Sequence, residues 1–115
     1  MTQIETLLTQ GADPNSADNN DVSLLMSFSK KGDVESVRSL IKYGASVNKK
    51  DTNNLSAMDY AIDADKLAVV ELLVDNGAVI TSDSYMLAIQ KKRKAIVDFF
   101  DSLDPNKHVF LKKRN

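Results

Sequence analysis

The chain has 115 residues, 43% of them apolar and 27% charged, which suits one globular domain and is too apolar for a disordered chain. It has no Cys, one His and no Trp, which excludes disulfides, thiolate nucleophiles and Cys-based zinc sites and speaks against a base-stacking aromatic platform. Its net charge of −1 is unevenly spread: residues 1–90 hold 7 cations against 13 carboxylates, a net −6, and residues 91–115 hold 8 against 3, a net +5.

The chain opens MTQIETLLTQ, without the basic and apolar stretches of a signal peptide. Its apolar runs are too short to cross a bilayer, so the expectation is a cytoplasmic protein that avoids membranes. Thr2 and Glu5 have the Thr-x-x-Glu spacing of a capping box and predict a helix over residues 2–10. That helix has no partner ahead of it, so Ile4, Leu7 and Leu8 are expected to be partly uncovered. The acidic stretch DPNSADNND (13–21) begins like a calcium loop. It has Asp18 where the loop's Gly belongs and Leu24 where its terminal Glu belongs, so polar turns are the better reading.

Ser23 is an expected N-cap for a short helix through Leu25. Val34, Val37, Leu40 and Ile41 then recur at helical spacing up to Gly44, a residue that tolerates a left-handed helix end. Residues 45–54, rich in Asn, Asp and Lys, should leave the helices as a loop or hairpin. The pattern restarts at Ser56, a second N-cap. Asp63 and Asp65 fall in an interhelix turn, and Leu67, Val70, Leu73 and Val74 form the next apolar face before Gly77. AIQKKRKAIVDFF (88–100) aligns with AIDADKLAVVELL (61–73) at an offset of 27, which predicts a loss of six residues around Thr81 to Tyr85. Asp104-Pro105-Asn106 should end the helices, leaving 105–115 as a flexible basic tail that holds His108.

Three segments repeat: TLLTQGADPNSAD (6–18), SLIKYGASVNKKD (39–51) and ELLVDNGAVITSD (71–83). The Gly11-Ala12, Gly44-Ala45 and Gly77-Ala78 pairs are 33 apart. The same spacing joins Leu7-Leu8 to Leu40-Ile41 and Leu73-Val74, Val37 to Val70, and Asn15 to Asn48. With this period and the run GASVNKKD (44–51), the chain resembles the ankyrin repeat family over roughly residues 2–103. The family's T-P-L-H-x-A signature is reduced to SLLMSF (23–28) and SAMDYA (56–61), and the missing His should weaken hydrogen bonding between repeats. The resemblance implies an all-α ankyrin-repeat solenoid of stacked helix–turn–helix units with short hairpin loops, about three and a half repeats in all. The expected organisation is an ankyrin repeat domain over 1–104, made of a partial repeat at 1–18, repeats at 19–51 and 52–83, and a capping repeat at 84–104.

The family resemblance also implies recognition of a protein by hairpin tips and a concave helix face. Carried over to this sequence, the outward positions are Asn19, Asn20, Val22, Lys30, Lys31 and Tyr43 in one repeat. In the next they are Thr52, Asn53, Leu55, Asp63, Ala64 and Asn76. Val22 and Leu55, 33 apart, are either apolar contacts for a partner or packing against the neighbouring hairpin. Lys91, Lys92, Arg93 and Lys94 form the densest charge cluster, read as a solvated interhelix turn, as a contact for an acidic protein, or as a nuclear-import or nucleic-acid signal. Nucleic acid is disfavoured by the acidic body. With one His, no Cys and three of the four Gly at helix ends, the parts for nucleophilic, metal-assisted or phosphate-loop catalysis are missing, and neither an enzyme nor a cofactor is expected. The leading reading is a protein–protein interaction module. The alternatives are an inhibitor or toxin-neutralising protein that occludes a partner enzyme's active site, and a self-associating assembly element. The expected state is a monomer or a weak self-associate.

Overall fold

The computed structural model describes residues 2–103, so the tail expected at 105–115, with His108, lies outside the described residues. Among the described residues there are seven helices and no named strand: α1 (Gln3–Thr9), α2 (Leu24–Lys31), α3 (Val34–Lys42), α4 (Ala57–Asp63), α5 (Leu67–Asp75), α6 (Ser82–Gln90) and α7 (Lys94–Ser102). They form two layers. In the front layer α2 packs on α4 and α4 on α6; in the back layer α1 packs on α3, α3 on α5 and α5 on α7. Each unit joins one front helix to one back helix, as α2 to α3, α4 to α5 and α6 to α7, and the first unit supplies only α1 to this stack. The architecture is the all-α solenoid that the sequence predicts.

The front helices and α1 begin where short hydroxyl side chains stand. Ser23 Oγ accepts from the Met26 N–H at 3.2 Å, Ser56 Oγ from Asp59 N–H at 3.3 Å and Thr81 Oγ1 from Ser84 N–H at 3.0 Å. The box expected at α1 forms by half. Thr2 Oγ1 accepts from the Glu5 N–H at 3.1 Å, and the Glu5 carboxylate pairs with Lys42 of α3 at 3.8 Å. The back helices α1, α3 and α5 end alike, with Gly11, Gly44 and Gly77 at φ 101°, 102° and 93°. The N–H of each following Ala reaches five residues back, to Leu7, Leu40 and Leu73, and closes the frayed turn.

The apolar faces meet in one continuous core. Val37, Leu40, Val70, Leu73, Ile96 and Phe100 of the back layer and Leu25, Met58 and Ile62 of the front layer are buried. Val34, Ile41, Leu67 and Val74 flank it half-buried. One expectation fails in part. Ile4 and Leu8, one turn apart, are buried, because α1 lies against α3 and those are the residues it covers. Leu7 alone is uncovered, at 46% exposure.

The last unit also departs from expectation. Ser23 and Ser56 are 33 apart as N-caps but Ser56 and Thr81 only 25, whereas the left-handed turn residues Asp65 and Lys92 are 27 apart. The connection before α6 has therefore lost eight residues and α6 has gained two. A net deletion of six hides both changes from an ungapped alignment. Met86 and Ile89 of α6 are left exposed at 49% and 42%.

Candidate protein-binding surface

Two hairpins project between units. In the first, Ala17 bridges to Ser23, and the Asp18 carboxylate accepts from the N–H groups of Asn20 and Val22 at 2.8 and 3.0 Å. In the second, Lys50 bridges to Ser56, and Asp51 accepts from Asn53 and Leu55 at 2.8 and 3.0 Å. An Asp at the start of each loop turns the chain by binding its own backbone, which answers the calcium question in favour of turns. Asp21 and Asn54 take the left-handed position at φ 60° and 65°, the conformation that Asn and Asp tolerate best after Gly. The Thr52 N–H donates to the Asn20 carbonyl at 3.0 Å and ties one hairpin to the other.

Asn15 and Asn48 explain their shared spacing. Asn15 donates to the Gly44 carbonyl at 3.2 Å and accepts from the Ser46 N–H at 2.8 Å. Asn48 repeats this one unit on, with Gly77 at 3.1 Å and Val79 at 2.8 Å. An amide carries both a donor and an acceptor, so one side chain clamps two backbone groups of the next unit.

The family's missing His is replaced at one junction. Asp59 stands at its position, caps Ser56 N–H at 3.0 Å and accepts from Ser84 Oγ of the last unit at 2.6 Å. At the preceding unit Met26 offers only its sulfur to the Ser23 N–H, at 3.3 Å. The expected weakening is thus confined to the earlier junction, where the hairpin contact and the Asn clamp take over.

Behind the second hairpin the Tyr60 hydroxyl donates to Asp51 Oδ2 in a short hydrogen bond. Burial pushes the Asp51 carboxyl up, but the bonds from Tyr60, Leu55 and Asn53 outweigh it, leaving its pKa below the usual value. The hydrogen bond to Asp51 raises the Tyr60 pKa to about 12, with burial and the charges of Asp51 and Asp18 adding to it. Tyr60 belongs to no site position read from the sequence. Its location 33 residues after exposed, polar Ser27 is the signal that marks it as unlike its repeat partner.

Of the twelve expected contact positions, none is buried. Asn19, Asn20, Lys30, Lys31, Thr52, Asn53, Asp63 and Asn76 are exposed, and Val22, Tyr43, Leu55 and Ala64 are half-buried. Lys30, Leu55 and Asp63 converge on one hollow of about 230 Å³, joined there by Asp59, Tyr60 and Leu87. Val22 lines a matching hollow of about 320 Å³ with Leu24 and Ser27, and it also packs against the core. Asn19, Asn20, Thr52 and Asn53 sit at the hairpin tips. Tyr43 and Asn76 lie apart from both hollows, as C-caps of α3 and α5, and the Lys42 ammonium stands 5.8 Å from the Tyr43 ring centre. Ala64 is the C-cap of α4.

The basic cluster lies in the turn before α7, as the sequence suggests, and much of it is engaged within the chain. Arg93 is half-buried and donates to the backbone carbonyls of Ile62 and Asp63 at the end of α4. Lys91 pairs with the Asp63 carboxylate at 3.0 Å, and Lys94 with Asp98 at 3.0 Å. One unit earlier the Lys66 stem lies over Gly32, where an added Cβ would stand 2.7 Å from it. A long cationic residue thus covers the preceding turn at both places. Asp63, expected to meet a partner, already holds Lys91. No group of three or more His, Cys, Asp or Glu among the described residues is placed to hold a metal, and no described helix is long and apolar enough to cross a membrane.

The repeated hairpin–helix–helix unit finds its match among known proteins. The family description "Ankyrin repeats (3 copies)" fits residues 2–84. The chain belongs to the ankyrin repeat family. A protein of Medicago truncatula named VAPYRIN-LIKE is 39% identical over 82 residues, which are 71% of this chain and 17% of that protein. A putative ankyrin repeat protein of fowlpox virus (strain NVSL) is 29% identical over 83 residues, 72% of this chain and 12% of that protein. The chain therefore spans a small part of the length of these relatives. Ankyrin repeats are generally protein–protein interaction modules, and the family is typically non-enzymatic.

Proposed function

We propose that this ankyrin-repeat chain binds another protein across the hairpin tips and the front helix layer. The observation that carries the reading is the hollow at Leu55. Residues of three successive units (Lys30 of α2, Leu55 and Tyr60 of the third unit, and Leu87 of α6) meet around one open, mostly apolar depression rimmed by Lys30 and Asp63. An apolar socket with a polar rim is the arrangement in which a few anchoring side chains dominate binding. The contact surface comprises Asn19, Asn20, Val22, Lys30, Lys31, Thr52, Asn53, Leu55 and Asp63, with Tyr43, Ala64 and Asn76 at its margin. The basic turn at Lys91, Lys92, Arg93 and Lys94 serves mainly the joint between units, and only its exposed lysines remain for an acidic partner.

The test is affinity capture followed by binding measurements on the captured protein. Leu55→Ala should weaken binding by ~1–3 kcal/mol with helicity unchanged, and Tyr43→Ala by less. Full binding by Leu55→Ala would remove the hollow from the contact surface. Unfolding of either variant would mark it as core.

A further inference from the structure

We propose that the α1 end of the stack is a docking site for the C-terminal segment Val109–Arg114 of a second copy of this chain. This site adjoins the hairpin and front-layer surface at Leu24, which lines both hollows, and is centred on α1 instead of the hairpin tips. Ile4 and Leu7 of α1 and Leu24 and Phe28 of α2 line an apolar hollow of about 380 Å³, with Gln3, Asp33 and Ser36 at its edge. It is the seat of a front-layer helix: inside the stack, the corresponding side of α4 is covered by α2. Leu7, at 46% exposure, shows that the described residues leave this seat uncovered.

Charge selects the occupant. Residues 1–36, which hold every residue lining the hollow, carry six carboxylates against Lys30 and Lys31, a net −4, while residues 91–115 carry the net +5. Two α1 ends brought face to face would therefore repel, whereas an α1 end and a C-terminal segment attract. The segment has the chemistry the hollow requires. Val109, Phe110 and Leu111 supply apolar side chains, and Lys112, Lys113 and Arg114 follow directly. An aromatic ring gives the largest apolar area that one side chain can bury. Reach favours a second copy over the same chain. Phe110 is seven residues beyond Leu103 and so at most ~25 Å from it. The helices α1 and α7 stand three interhelix spacings apart, ~24–30 Å, before the path around the stack is counted. A head-to-tail contact can repeat from copy to copy, so association should grow with concentration.

The experiment is sedimentation velocity on the full chain, on Leu7→Lys with Leu7→Ser as a second variant, and on the triple reversal Lys112→Glu, Lys113→Glu, Arg114→Glu. The wild type should associate increasingly with concentration and less so at high salt. The Leu7 variants and the reversal should each weaken association about tenfold or more, with unchanged circular dichroism. An equimolar mixture of Leu7→Ser and the triple reversal should form a one-to-one dimer that grows no further, since only one hollow and one basic segment remain compatible. A wild type that stays monomeric overturns the proposal. So does association that the Leu7 variants abolish and the reversal leaves untouched, because that describes apolar ends pairing symmetrically.

Discussion

The junction between the second and third units and the junction between the third and fourth hold the same kind of helix stack by different means. At the first, a full hairpin stands beside another, joined by Thr52 to Asn20 and clamped by Asn15 at Gly44 and Ser46. At the second the projecting hairpin is gone. The Asn48 clamp remains, and side chains make up the difference: Ser84 on Asp59, Lys91 on Asp63, and Arg93 on the end of α4. Neutral backbone contacts are indifferent to salt, whereas exposed ionic ones are screened by it. The stack therefore passes from a junction insensitive to salt to one that responds to it.

The comparison breaks most readily in the core. Leu40→Ala and Leu73→Ala remove fully buried side chains from α3 and α5 and should each cost ~2–5 kcal/mol in urea denaturation. If the last junction is the weaker, Leu73→Ala should also broaden the transition, with the amides of α6 and α7 exchanging first. A single sharp transition for both variants would show the two junctions to be equally strong.

Next in size is the Tyr60–Asp51 bond. Tyr60→Phe should cost ~1.5–3 kcal/mol, because a buried carboxylate loses a donor. The folded Tyr60 pKa lies above its ordinary value of 10.0, so its stabilisation is complete below pH 10 and is lost as pH rises through about 12. Asp51 is depressed, so its stabilisation is present above the ordinary carboxylate value of 3.8 and is lost as pH falls through the lower folded value. Chemical denaturation across pH should show both flanks in the wild type and no alkaline flank from this group in Tyr60→Phe.

Arg93→Ala should be smaller, ~1–2 kcal/mol, from two lost carbonyl contacts and the packing of its stem. Asn48→Ala should cost ~1 kcal/mol. Salt separates the two kinds of contact at the last junction: ~0.5 M NaCl should narrow the gap between Arg93→Ala and the wild type while leaving the Asn48→Ala gap unchanged. Lys94→Ala breaks an exposed pair and should shift stability by ~0.5 kcal/mol or less by thermal melting. A larger loss would mean that the basic turn is tied more firmly than its exposure allows.

Much of this could be read from residue order. The period of 33, the caps at Ser23 and Ser56, the Gly ends and the buried Val37, Leu40, Val70 and Leu73 are local or periodic facts, and secondary structure and a repeating core obey those directly. The surface was legible only as positions. That Lys30, Leu55 and Asp63 share a hollow while Tyr43 and Asn76 do not depends on how neighbouring units register, which spacing alone does not encode. Asp59 is the clearest case. The sequence showed a lost His, and the stack showed a carboxylate doing its work because Ser84 arrives opposite it.

The sequence by itself determined the helices, their order and the apolar seam, because each follows from side-chain period and backbone preference within about 33 residues. Only the tertiary structure decided which apolar residues of α1 are covered and which cations are engaged. Burial of Ile4 and Leu8, exposure of Leu7 and the attachment of Arg93 to α4 all depend on groups about 30 residues distant in the chain. Their positions relative to one another are set by the packing of whole units, and no local pattern of residues carries that information.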